Sequence, residues 1–382
     1  MNRLIYAASS TCPDLRYETG FEACDPFLWF QTDTLNAMVV SKLEYGRAVK
    51  QRRKDVQVFE YEKLRSFFNL PEETPPEKDR DDFTRMMDAI VKGTNCRKWT
   101  VPECFPYGCV KHLLDLFLKV ETVKPFSPAR SIKTAAEIEA VRQAERLAET
   151  GLAAADGILA EASIGADDVL FYHGEVLTAE RLRGAINAAI AMAGGAATGT
   201  IAAPGPQGAD PHQAGSGPVR AHVPIIFDIF PQDQTTGYYG DLTRTRVKGA
   251  APAHVQAAYE AVLEIQQRAL ERLKPGVLGT ELQEMTENFF AERGYPEGCD
   301  EATGLHHGFF HGLGHAVGLE VHDQGPSLNK RGTVPLAPGH IVTVEPGIYY
   351  PEWGGIRIED TVAITADGID NLATAPKHLV IE

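Results

Sequence analysis

HGLGHAVGLEVHD, His311 to Asp323, holds three of the chain's twelve histidines, spaced among Gly312, Gly314 and Gly318. Imidazole is the commonest side-chain metal ligand and the usual proton carrier near neutral pH. Glycine lets a backbone approach a ligand closely. The plain alternative is a set of solvated histidines in a Gly-rich loop. The two differ in one respect: a metal site needs carboxylates delivered from elsewhere in the chain.

HGLGH has the H-x-x-x-H spacing of helical zinc proteases but lacks the Glu after the first His, and Gly312 and Gly314 disfavour a helix. In an extended segment His311 and His315 still face one side. Four acids are candidates to meet them. Asp228 is the one charge inside the apolar run VPIIFDIF (Val223–Phe230). Burying it alone costs several kcal/mol, so it needs a metal or a partner such as Arg244 or Arg246. Asp241 follows after the turn-rich PQDQTTGYYG, and a strand–loop–strand return would bring the two together. Glu345 ends IVTVE, and Glu359 sits inside GIRIEDTVAI. If that segment is one strand, Arg357, Glu359 and Thr361 share a face, open either to solvent or to a site. Asp228, Asp241, Glu345, Glu359 and a histidine make an oxygen-rich set suited to Mn²⁺, Co²⁺, Fe²⁺ or Zn²⁺. Two such ions bridged by carboxylates can activate water and polarise a carbonyl, which suits amide hydrolysis.

The rest of the chain reads as two domains. In the first, strands are expected at Leu4–Ala7, Phe27–Phe30, Ala37–Val40 and Val56–Phe59, with a helix near Leu43–Arg52. Asn69–Asp82 is a Pro-rich charged loop, and Lys111–Val120 is either a helix or a strand. Lys124–Lys133, with two prolines, is the linker candidate. Beyond it, helices are expected over Thr134–Ala160, Ala179–Met192 and Pro252–Leu273, with another opening on a Thr280/Gln283 capping box and ending at Gly294. Strands Ile341–Glu345 and Gly355–Ile364 close the chain.

The 382 residues carry a formal charge of −15, which argues against nucleic-acid or anionic-membrane partners. There is no apolar run of spanning length, and MNRLIYAASS has no signal-like core. The scattered cysteines form no zinc pattern, so the expectation is reduced thiols in a cytoplasmic protein.

DLRYETGF, FDIFPQDQTTGYYGDLTRT, HGLGHAVGLEVHD, VEPGIYY and GIRIEDT, in this order, resemble the signatures of the M24 metallopeptidase family. The resemblance is to the branch containing aminopeptidase P and prolidase, and it extends over nearly the whole chain. It implies an α/β (α+β) fold: a small creatinase-like N-terminal domain, 1–128, and a pita-bread catalytic domain, 129–382, of two pseudo-symmetric αββ halves. It also implies two divalent ions, manganese first among the candidates. Asp228 would chelate one ion, Asp241 and Glu359 would bridge both, and His315 and Glu345 would complete the second. Glu345 would also carry a proton, with His322, His212 and His311 on the substrate or transition state. Arg357, Tyr349 and Arg331 match substrate-side positions, Arg331 resembling an arginine that holds a dipeptide's C-terminal carboxylate. The implied activity is cleavage of the amide before proline, as an Xaa-Pro dipeptidase. The alternatives are an Xaa-Pro aminopeptidase, a non-peptidase relative such as creatinase or a lyase, and an inactive binding module. A homodimer is compatible with the resemblance. One departure stands out: the Asp228–Asp241 segment is slightly longer than the family's.

Overall fold

The structure is a computed structural model describing residues 2–71, 81–301 and 303–382. Most of the Asn69–Asp82 loop therefore lies outside the described residues. The chain divides into two compact units, Met1–Pro128 and Ala129–Glu382.

In the first unit β1 (Arg3–Ala7), β2 (Phe27–Gln31), β3 (Asn36–Val40), β4 (Gln57–Glu60), β5 (Lys98–Pro102) and β6 (Lys119–Val123) form one sheet, ordered β4-β3-β2-β1-β5-β6. Helices α1 (Pro13–Thr19), α2 (Tyr45–Gln51), α3 (Leu64–Phe67), α4 (Asp82–Thr94) and α5 (Tyr107–Asp115) accompany it. Both sheet faces are covered. Leu28 and Phe30 join one apolar cluster, Trp29 and Met38 another, as alternation along a strand demands. The run Lys111–Val120 is both of the alternatives offered for it. It ends α5, turns at Phe117 (φ 56°) and opens β6.

The second unit opens with α6 (Ala135–Glu161). Its first turn is fixed by a capping box, Thr134 accepting from the Glu137 N–H while Glu137 accepts from the Thr134 N–H. Val141, Glu145, Ala148, Leu152 and Leu159 lie on its buried face. Helix α7 (Ala179–Met192) packs on it. Then come β7 (Ile201–Pro204), β8 (Ile225–Ile229) and β9 (Leu242–Lys248), an antiparallel trio joined at β9 by the C-terminal Val380–Ile381. A second passage repeats this plan: α8 (Ala253–Arg272), α9 (Gly279–Glu292), then β10 (Ile341–Val344), β11 (Gly347–Tyr350), β12 (Gly354–Arg357) and β13 (Asp360–Ile364). Each passage has its own apolar core.

Two local expectations are corrected. Gly355–Ile364 is not one strand. It breaks at Ile358–Glu359, β12 pairing with β11 and β13 with β10. Glu359 sits at the break, where its N–H donates to Thr243 O at 3.0 Å instead of to a sheet partner. The Thr280/Gln283 capping box is absent. Helix α9 begins at Gly279, inside which Thr280 already falls. Gln283 instead donates to His311 O (3.1 Å) and accepts from the Leu313 N–H (2.8 Å), holding the histidine stretch.

Behind the break, Asp360 is 1% exposed in its side chain and meets Arg244 Nη2 at 2.9 Å and Lys377 Nζ at 2.5 Å. Burial alone would raise its pKa, but these cations hold it below the ordinary range. Asp360→Ala leaves Arg244 buried without its counter-charge, and should cost about 3–5 kcal/mol in urea unfolding of the metal-free protein.

Candidate metal centre

Three passages of backbone meet around one cavity of about 740 Å³ in the second unit. Strands β8 and β9 pair so that Asp228 lies opposite Thr243, one residue past Leu242, which follows Asp241. The return expected from PQDQTTGYYG is thus realised. The segment between Asp228 and Asp241 is anchored: Asp233 accepts from the Thr235 N–H (2.9 Å) and the Thr236 hydroxyl (2.8 Å), and the Tyr238 hydroxyl donates to Glu137 (2.7 Å). The Asp241 N–H donates to the buried Glu145 at 2.9 Å. Glu145 lies on the buried face of α6, and nothing local in the sequence marks its service to Asp241.

The histidine stretch is non-helical: it runs against β10 around His315, then bends through Gly318–His322. His315 N–H donates to Thr343 Oγ1 (3.1 Å), and Thr343 N–H donates to His315 O (2.8 Å). Gly314 is required there, because a Cβ would run into the carbonyl oxygen of Thr343.

The cavity wall includes Asp228, Asp241, His315, Glu345 and Glu359, and also His212, His311, His322, Tyr349 and Arg357. Ligand atoms of Asp241, His315 and Glu359 lie within 4.8 Å of one another. His315 Nε2 is 3.5 Å from Asp241 Oδ2 and 3.4 Å from Glu345 Oε1. Glu359 accepts from Thr243 Oγ1 (2.7 Å), and Asp228 Oδ2 from Arg357 Nη2 (2.6 Å). The partner of Asp228 is therefore Arg357; Arg244 serves Asp360 and Arg246 serves Asp156. Arg357, Glu359 and Thr361 are all buried, so the solvent-facing alternative is excluded.

The electrostatics ask for cations. Burial, then mutual repulsion, raises the carboxyls of Asp241 and Glu359 well above their ordinary range. Burial and the charge of Asp228 push Glu345 up to about 8, against the pull of Arg357. Asp228 Oδ1 is buried with no hydrogen-bond partner among the described residues. His315 Nδ1 lies 3.2 Å from Ala316 O, which can only accept, so Nδ1 carries the proton. Burial, then His322, lowers its pKa to about 4, so the ring is neutral. Its bare Nε2 faces two carboxyl groups. A lone pair aimed at acceptors is repulsive unless a proton or a cation stands between. This donor set fits divalent ions.

Beside the carboxylates runs a second chain. Arg357 Nη1 donates to the Tyr349 oxygen (3.0 Å), and Tyr349 donates to His311 Nε2 (2.9 Å), whose Nδ1–H donates to Gly312 O (2.8 Å). Burial and Arg357 lower His311 to about 4, while burial pushes Tyr349 up to about 12. His212 and His322 are exposed at the wall, the His322 ring centroid 4.2 Å from that of His315. Arg331 lies outside this wall. It lines an adjoining cavity of about 250 Å³ that shares Phe310, His311, Gly312 and Asn329 with the first.

Among the described residues no helix is long and apolar enough to cross a membrane. All six cysteines are described, and none is in a disulfide.

Similarity to known proteins agrees with this architecture. The model of metallopeptidase family M24 matches residues 139–366. The Xaa-Pro dipeptidase of Pyrococcus horikoshii is 31% identical over 331 residues, 85% of this chain and 84% of that protein. The crystal structure of the prolidase from Pyrococcus horikoshii OT3 matches with a TM-score of 0.75 at 26% identity, over 99% of this chain and 95% of that one. That of the X-Pro aminopeptidase from Thermotoga maritima MSB8 shares the fold, with a TM-score of 0.81 at 24% identity over 100% and 97% of the two chains. The extent of these matches shows that the chain belongs to metallopeptidase family M24 and is a metallopeptidase of mixed α/β, pita-bread fold.

Proposed function

We propose that the protein is an Xaa-Pro dipeptidase using two divalent ions. The observation that carries the reading is the convergence of Asp228, Asp241, Glu345, Glu359 and the neutral imidazole of His315 on a cavity wall, itself also lined by Asp210, where Arg357 is the one Lys or Arg among the described lining residues. Similarity to the Xaa-Pro dipeptidase of Pyrococcus horikoshii supports the substrate class. Asp228, Asp241, His315, Glu345 and Glu359 would hold the ions, with manganese the first candidate and cobalt, zinc or iron compatible with the same donors. The cytoplasm and a homodimer remain part of this reading.

When bound, such ions supply Lewis acidity that polarises the scissile carbonyl and makes water a nucleophile at neutral pH. Glu345 accepts a proton during attack and returns it to the departing proline nitrogen. His322 and His212 donate hydrogen bonds to the oxygen that gains charge. The Arg357–Tyr349–His311 chain fixes the His311 tautomer with its proton on Nδ1 and orients the ring toward the substrate. Arg357 is engaged by Asp228 and Tyr349, so a substrate carboxylate needs another cation. Arg331 is exposed, and no carboxylate pairs with its side chain among the described residues. Its neighbour Lys330 is already paired with Glu287 at 3.2 Å.

Ala-Pro and Ala-Pro-Ala hydrolysis by the manganese-loaded protein tests the reading. Preferential cleavage of the dipeptide is expected; equal or better cleavage of the tripeptide would make it an aminopeptidase, and cleavage of neither would remove the peptidase assignment. Glu345→Gln should lower kcat at least ~100-fold on Ala-Pro, the scale of a lost proton carrier. Arg331→Ala should raise KM for Ala-Pro and leave Ala-Pro-amide unaffected; equal losses on both would dismiss the carboxylate contact.

The pH dependence has a definite sign. Without metal, the folded chain keeps protons on Glu345 and Glu145, both raised by burial to about 8, that the unfolded chain has already lost above its ordinary carboxyl pKa. Stability of the metal-free protein should therefore fall as pH rises through this window. Metal binding expels protons from Glu345, so apparent affinity should rise. His315 is already neutral there and adds nothing. Calorimetric titration with Mn²⁺ at pH 6 and pH 8 should show tighter binding at pH 8; equal affinity at the two would contradict the carboxyl assignment.

A further inference from the structure

Asp323, the last residue of the histidine stretch, does not line the cavity. Its side chain is 1% exposed. Oδ1 accepts from the Gln324 N–H (2.7 Å) and from Arg130 Nη2; Oδ2 accepts from the Leu319 N–H (3.2 Å) and faces Lys133 Nζ at 3.3 Å. The Asp323 N–H donates to Ala316 O at 2.8 Å. The backbone N–H of Asp323 closes the loop 316–324 onto Ala316, while its carboxylate holds Leu319 and Gln324 together and joins them to the segment before α6. Arg130 and Lys133 are themselves 3% and 4% exposed, and the Lys133 N–H is bound by Gly339 O at 2.8 Å. Arg130 Nη2 also meets the half-exposed Glu320 at 2.7 Å, so the loss of Asp323 leaves Lys133, more than Arg130, as a buried cation without its carboxylate.

What the loop presents is functional. Val321 and His322 line the cavity, and the His322 ring meets that of His315 edge-on. Among the described residues no hydrogen bond holds the His322 ring, and the residue is exposed. Its position therefore follows its backbone, and its backbone follows Asp323.

We propose that Asp323, clamped by Arg130 and Lys133, is the positioning residue for His322. The buried carboxylate sets the loop so that the imidazole stands beside His315 and faces the substrate, and its effect on turnover is transmitted through His322. This rests on the reading above, in which the cavity hydrolyses Xaa-Pro peptides and His322 touches the reacting group. An ion cluster that served only folding would lower activity by the same factor with or without the His322 ring.

The test is a double-mutant cycle in the full chain, loaded with Mn²⁺ and assayed on Ala-Pro. Asp323→Asn should lower kcat about tenfold with KM within about twofold, and should cost less than about twofold when introduced into His322→Ala. Equal factors in the two backgrounds would overturn the proposal. A second arm needs no metal or turnover. In histidine-labelled protein, the His322 ring resonances, identified by their loss in His322→Ala, should move in Asp323→Asn while those of His173 and His254 stay in place. Unmoved His322 resonances would equally overturn it. If Asp323→Asn does not fold, Lys133→Met keeps the Arg130–Asp323 pair and carries both arms. If the parent protein cleaves no Xaa-Pro peptide, the functional reading fails, and the resonance arm still decides the positioning.

Discussion

Five carboxyl groups line one cavity, Asp228, Asp241, Glu345 and Glu359 gathered around His315 and Asp210 among the rest, with a single guanidinium among the described lining residues, and the second unit is arranged around that conflict. At separations of a few ångströms in a poorly hydrated wall, like charges cannot all persist. Proton uptake is one resolution, and it appears as the upward displacement of Asp241, Glu345 and Glu359. Binding of cations is the other, and for it the wall already holds a neutral imidazole with its bare nitrogen turned inward. Such an arrangement stabilises nothing in the empty chain. It persists because the surrounding cores and buried ion pairs supply enough stability to hold it.

The holding is done mostly by uncharged groups. Thr243, Thr245 and Thr361 bridge the two passages of the unit: Thr243 to the Glu359 side chain, Thr245 to the backbone of Arg357, and Thr361 to the carbonyl of Asp241. Hydroxyls do this without adding charge to a crowded wall. Arg357 with Asp228 is the ion pair of the wall itself; two others stand behind it. Asp360 with Arg244 and Lys377 backs the strand break, and Asp323 with Arg130 and Lys133 backs the histidine loop.

Much of this was legible in the residues. The long amphipathic helices declare themselves through their periodicity. Asp228 is conspicuous as a charge in an apolar strand, and the glycines of the histidine stretch disfavour a helix there. Short-range patterns misled where a side chain had a distant employer. Thr280 and Gln283 have capping-box spacing, but Gln283 bonds two backbone groups of the His311 segment. The alternation in GIRIEDTVAI reads as one strand, yet Glu359 takes its partner from β9, and the chain changes sheets at that point.

By itself the sequence determined the ingredients: two domains, the helices, the acids and histidines set apart from apolar packing, and the resemblance that orders them. These depend on local periodicity and residue chemistry, which a chain carries wherever it folds. Only the tertiary structure decided who meets whom. It gave Asp228 to Arg357 in place of Arg244 or Arg246, put Glu145 behind Asp241, and set Arg331 in a neighbouring cavity. Pairings across 96 to 129 residues, such as Glu145 with Asp241 and Asp228 with Arg357, are fixed by how strands and helices stack, and no local pattern records them.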